Sequence, residues 1–213
     1  MSVLHQWLGS LKVLLAGFKN GSAERDLEDL AAQAEKAPAS ARWAMFNRLG
    51  DAYLKSGDRS RALRYFGRAI DCLLQDDQPE PARAVARKVV RLHPEAVRTL
   101  CTLVWIDLAS LRTAAAASTL QDYADAARNG SHRSLTCGQI LEMARLVADR
   151  RFLEQAHTAL ETLGCSTDAA QVKEWADAEG SPEALSDPKE LYAVCLKAAI
   201  GSNVLMKTRG SIS

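Results

Sequence analysis

WAMFNRLGDAYLKSGDRSRALRYFGRAIDCLL, residues 43–74, decides the fold. Phe46, Leu49, Gly50, Tyr53 and Leu54 recur at three- and four-residue spacing, which gathers them on one face of a helix. Gly57 and Asp58 then supply a helix stop and a new N-cap. Ala62, Leu63, Phe66, Ala69, Ile70, Leu73 and Leu74 repeat the apolar pattern. Gly50 and Ala62 are small enough for two antiparallel helices to approach closely. Phe46, Tyr53 and Phe66 fill the space beside them.

The order Phe46-x-x-Leu49-Gly50-x-x-Tyr53, then Ala62-x-x-x-Phe66, resembles the tetratricopeptide repeat (TPR), although Leu74 stands where that family places a closing proline. The resemblance covers about 34 residues well and is recognisable again, in degenerate form, over 134–163. It implies an all-α fold, a right-handed superhelix of antiparallel hairpins. Each hairpin has too little apolar surface to stand alone, so hairpins stack. It also implies a concave surface lined by the first helix of each hairpin, where Asn47, Asp51 and Lys55 stand one turn apart. Some family members clamp a terminal carboxylate there with lysine and asparagines. Asp51 would repel such a ligand, so another peptide, or a helix in the groove, fits this chain better.

Outward from this stretch, helices are expected over about 23–36, 81–92, 95–110, 113–128, 134–163 as a hairpin, 167–179 and 187–200. Asn129-Gly130-Ser131 and Gly180-Ser181-Pro182 are breaks. Residues 21–200 read as one solenoid of four or five hairpins, with a tail over 201–213. One irregularity stands out: the helix at 81–92 looks like the second of a pair but follows another second helix. Either a hairpin is abbreviated or the repeat phase slips.

Residues 1–20 form a separate amphipathic element. Leu4, Trp7, Leu8, Leu11, Leu15 and Phe18 share one helical arc. Polar interruptions argue against a membrane span, and the segment makes a poor secretory signal. Its first reading is a cap on the solenoid; a partner protein, a second copy or a bilayer surface are the alternatives.

Composition suits a helical protein: 213 residues, a net charge of +1 and little glycine or proline. Near-neutral charge disfavours nucleic acid. The basic residues are nevertheless segregated. Residues 42–98 hold twelve Lys or Arg against seven Asp or Glu, whereas residues 160–190 hold two against eight. Arg61, Arg64 and Arg68 share one helix stripe, and Arg83, Arg87 and Arg91 another. Such guanidinium rows suit carboxylates or phosphates, and the opposed charge of the two ends suits head-to-tail self-association.

Little in the chain points to chemistry. The four histidines are dispersed, no phosphate loop or nucleophile elbow is present, and Gly164-Cys165-Ser166 reads as a helix C-cap followed by an N-cap. Cys72, Cys101, Cys137, Cys165 and Cys195 are odd in number and without C-x-x-C spacing. They read as separate thiols of a reducing compartment, the cytoplasm or the inner face of a membrane. The expected function is therefore a non-enzymatic scaffold or adaptor that holds a protein or peptide within a larger assembly, with no cofactor or metal. The alternatives are a peripheral membrane protein anchored through residues 3–19, and a chaperone for a secreted or assembling client.

Overall fold

A computed structural model describes residues 23–209. Among these residues there are ten helices and no strands: α1 (Ala23–Lys36), α2 (Ala39–Lys55), α3 (Arg59–Gln75), α4 (Pro79–Leu92), α5 (Val97–Ala109), α6 (Thr113–Ala127), α7 (Arg133–Arg145), α8 (Arg150–Thr162), α9 (Ser166–Asp177) and α10 (Pro188–Arg209). The all-α, solenoid-like expectation holds. The amphipathic segment with Leu4, Trp7, Leu8, Leu11, Leu15 and Phe18, and the last residues of the tail, lie outside the described residues. The helices gather into two compact units, one ending at Asp77 and the other beginning at Gln78.

In the first unit α2 packs on both α1 and α3. The turn between α2 and α3 follows from two residues. Gly57 takes a φ of +85°, a left-handed conformation that only glycine adopts without steric cost. Asp58 caps α3, its carboxylate accepting from the Arg61 N–H at 2.9 Å. The core is the apolar face read from the sequence: Phe46, Leu49, Tyr53, Ala62, Phe66, Ala69, Ile70, Leu73 and Leu74 are buried. Leu54 and Leu63, at the margins of that face, are only half-buried. Gly50 explains the closeness of the hairpin. A Cβ added there would stand 2.5 Å from the Phe66 ring, so the ring occupies the space that a side chain would need.

The second unit is organised by α5. Every residue from Leu100 to Ala109 is buried, as expected of a helix apolar on all sides. It contacts α4, α6, α7 and α10. Along the rest of the unit α6 packs on α8 and α8 on α9, and α7 makes smaller contacts with α5, α6, α8 and α9. The last helix, α10, returns to α5 through buried Leu191, Cys195 and Ala199. This packing is not purely between chain neighbours. The irregularity at 81–92 also finds its place, because α4 opens the second unit and pairs forward with α5.

The reading of five separate thiols is corrected. Cys137 on α7 and Cys165 before α9 form a disulfide, with Cα atoms 6.5 Å apart across 28 residues of sequence. Sequence spacing could not show this, because only the antiparallel return of α8 brings the two together. The cysteines therefore cease to argue for a reducing compartment. Among the described residues no helix is long and apolar enough to cross a membrane.

Candidate functional site

α2 sets Asn47, Asp51 and Lys55 at successive turns, with Asn47 and Asp51 half-buried and Lys55 exposed. The Asn47 Oδ1 is enclosed without a hydrogen-bond donor. On α3 the arginine stripe divides. Arg64 is exposed, whereas Arg61 and Arg68 lie on an aromatic row. In that row Tyr53 and Tyr65 stack with centroids 5.3 Å apart and planes 2° from parallel, and Phe46 lies 6.1 Å from Tyr65. The Arg61 guanidinium sits 5.5 Å from the Tyr53 centroid and that of Arg68 4.0 Å from Phe46, within cation–π range. Arg68 also grips Glu35 of α1 with two nitrogens, which lowers the Glu35 carboxyl below its ordinary pKa. Arg61 and Arg68 thus help hold the hairpin, and Arg64 and Lys55 face outward.

The second stripe, on α4, divides similarly. Arg83 is turned inward onto Asp107, whose side chain is 1% exposed. The same Asp107 oxygen receives Arg112 Nε at 3.2 Å, and Arg112 also binds Glu80. One buried carboxylate is thereby matched by two guanidiniums, the arrangement a charge needs to tolerate burial. Arg112, with help from Ser110, holds the Glu80 carboxyl below its usual range. Arg87 and Arg91 are exposed along the rest of α4. Each stripe belongs to its own unit.

Other polar features were invisible to periodicity. A cleft of about 550 Å³ lies between the C-terminal ends of α4 and α6 and carries the carboxylates Glu95, Asp122 and Asp125. Inside the second unit, Gln139 of α7 accepts from Trp105 Nε1 at 3.0 Å and from the Cys101 thiol at 3.7 Å. Tyr123 is buried beside Cys101 and Thr136 with no well-aligned hydrogen bond, and burial pushes its phenol well above the usual pKa. The Asp within Leu103-Val104-Trp105-Ile106-Asp107-Leu108 was a visible anomaly, since a carboxylate inside an apolar run needs cationic partners. Gly164, with a φ of +67°, ends α8, and the N–H groups of Gly164 and Cys165 return to Glu161 and Leu160 at 2.8 and 2.9 Å. That is the C-cap geometry expected of this turn, although Cys165 rather than Ser166 precedes α9. Among the described residues no group of three or more His, Cys, Asp or Glu is placed to hold a metal ion.

No family model matches the chain, and no curated protein or solved structure is significantly similar to it.

Proposed function

We propose that this chain is a non-enzymatic adaptor, a tetratricopeptide-like scaffold that holds a protein or peptide partner. The α2–α3 hairpin carries the reading. Its apolar face is consumed by close packing around Gly50 and Phe66, while Asn47, Asp51 and Lys55 sit at a fixed one-turn pitch on the helix that this kind of repeat uses for binding. A rigid polar ladder of that pitch suits an extended peptide or an amphipathic helix. Exposed Arg64, Arg87 and Arg91 favour an acidic partner over a basic one.

The test compares partners cross-linked to the intact protein with those of Lys55→Glu/Arg64→Glu and Arg87→Glu/Arg91→Glu variants. Circular dichroism serves as the check on folding. The expected result is a partner captured reproducibly at low salt and depleted at least tenfold by one charge reversal. Capture that is equal across all the variants, or absent from all of them, counts against the reading.

A further inference from the structure

We propose that the Cys137–Cys165 disulfide is a redox latch: it fastens α7 to the corner between α8 and α9, and a dithiol reductant releases α7 while the neighbouring helices stay packed. This inference does not depend on the adaptor reading.

Three observations carry it. First, α7 is thinly held by packing. Its buried residues are Thr136, Cys137, Ile140, Met143 and Ala144, so only two are large apolar side chains, and Thr136 Oγ1 is enclosed beside the Tyr123 phenol with no well-aligned hydrogen bond. The adjacent α8 buries Phe152, Leu153, Ala156, Ala159 and Leu160. Second, the first turns of α7 reach one place through two ties on one helix face. Arg133 Nε donates to the Leu163 carbonyl, and four residues on, Cys137 is bonded to Cys165. The corner they reach is fixed by Gly164 and its capping bonds, so the ties end on rigid backbone. The far end of α7 is attached more lightly, by the Leu185 N–H to the Leu146 carbonyl at 3.0 Å and by Arg145 to Glu183 at 3.6 Å. Reduction therefore removes the covalent tie at the N-terminal end and leaves α7 held by the Arg133 bond and these lighter ones.

Third, the two sulfurs differ in access. Cys137 is 4% exposed, and Cys165 is half-buried. A thiolate of the dithiol attacks Cys165 Sγ, the protein S–S bond breaks, and Cys137 leaves as a thiolate that takes up a proton. The second thiol of the reductant then displaces Cys165, which is protonated in turn. The reductant ends as a disulfide and the protein gains two electrons and two protons. What α7 covers makes the change consequential. Gln139 leaves with it, uncovering Trp105 and Cys101 of the central helix and the Tyr123 phenol.

The experiment is hydrogen exchange on the full chain, after mild oxidation and again after dithiothreitol, with thiols counted by alkylation in denaturant. Denaturant is needed because burial pushes the Cys195 thiol up to about 12. Three alkylated thiols are expected before reduction and five after. Amides of residues 133–145 should then exchange on the order of 10²-fold faster, the scale set by opening a loop of this length. Those of 113–127 and 150–162 should change little, and Trp105 emission should shift to the red, a shift absent from Trp105→Phe. A Cys137→Ser/Cys165→Ser variant without reductant should match the reduced protein. Five thiols after oxidation, unchanged α7 amides, or equal loss of protection over 97–199 would each overturn the latch.

Discussion

Gly50 and Leu111 show how much a single position can carry, in opposite directions. The Phe66 ring fills the space a Gly50 side chain would need, and Phe66 is fully buried, so neither group can give way cheaply. Gly50→Ala should destabilise the first unit by about 1–3 kcal/mol through overpacking. Combining it with Phe66→Leu should recover part of that loss in urea unfolding, because the smaller side chain vacates the contested volume. Leu111 ends α5 at a φ of +55°, with its N–H returned to Leu108 and the Arg112 N–H to Asp107. Glycine is the usual residue at such a C-cap, and the Leu111 side chain is 55% exposed, so little packing opposes its removal. Leu111→Gly should stabilise the second unit by about 1 kcal/mol, read as a raised thermal midpoint. Asp107 is the opposite case. Asp107→Asn keeps the shape but leaves the largely buried Arg83 without its carboxylate, while Arg112 keeps Glu80. The expected cost is about 3–5 kcal/mol, measurable in the same urea assay.

At the scale of elements, the helices that could be read in advance were those with one apolar face. The α2–α3 hairpin followed from its period because Phe46, Leu49, Tyr53, Ala62 and Phe66 all point to one interface. The role of α5 could not be read that way, since a helix buried on every side has no face for periodicity to detect. The arginine stripes show a second limit: period placed Arg61 with Arg68 and Arg83 with Arg87, but not the rings of Tyr53 and Phe46 that engage Arg61 and Arg68, or the buried Asp107 that engages Arg83. Such partners sit on other elements and become visible only with the packing. Two of these inter-element pairs also make stability depend on acid. Glu35 and Glu80 have carboxyl pKa values depressed by Arg68 and Arg112. A depressed folded-state pKa contributes stability that is present above the unfolded value near 4.5 and is lost as pH falls through the lower folded value. Both carboxylates are at least half exposed, so solvent screening holds each contribution below about 1 kcal/mol. Between pH 5 and 3 the wild type should therefore lose more of its urea resistance than a Glu35→Gln/Glu80→Gln variant does. Parallel losses in the two proteins would show that these pairs contribute nothing.

At the scale of the molecule, the two units follow different rules. In the first, α2 lies between α1 and α3 in chain order, which is how a repeat array grows. In the second, the chain closes on itself. α10 comes back from the far end of the sequence to cover α5, and so ties the stability of the unit to its last element. An open array losing its terminal helix gives up only that helix's interface, and the preceding repeats persist. Here removal of residues 188–213 would bare α5, the helix on which α4, α6 and α7 also rest. The lost burial of Leu191 alone is worth roughly 1.5–3 kcal/mol, and Cys195 and Ala199 add to it. Set against a typical domain stability of about 5–15 kcal/mol, that loss is large, and it falls on the helix against which α4, α6 and α7 pack rather than on an edge alone. The truncated chain should lose hydrogen-exchange protection over 97–109 and 113–127 together. Retention of native protection in α5 would mean that the second unit, too, stacks as an open array.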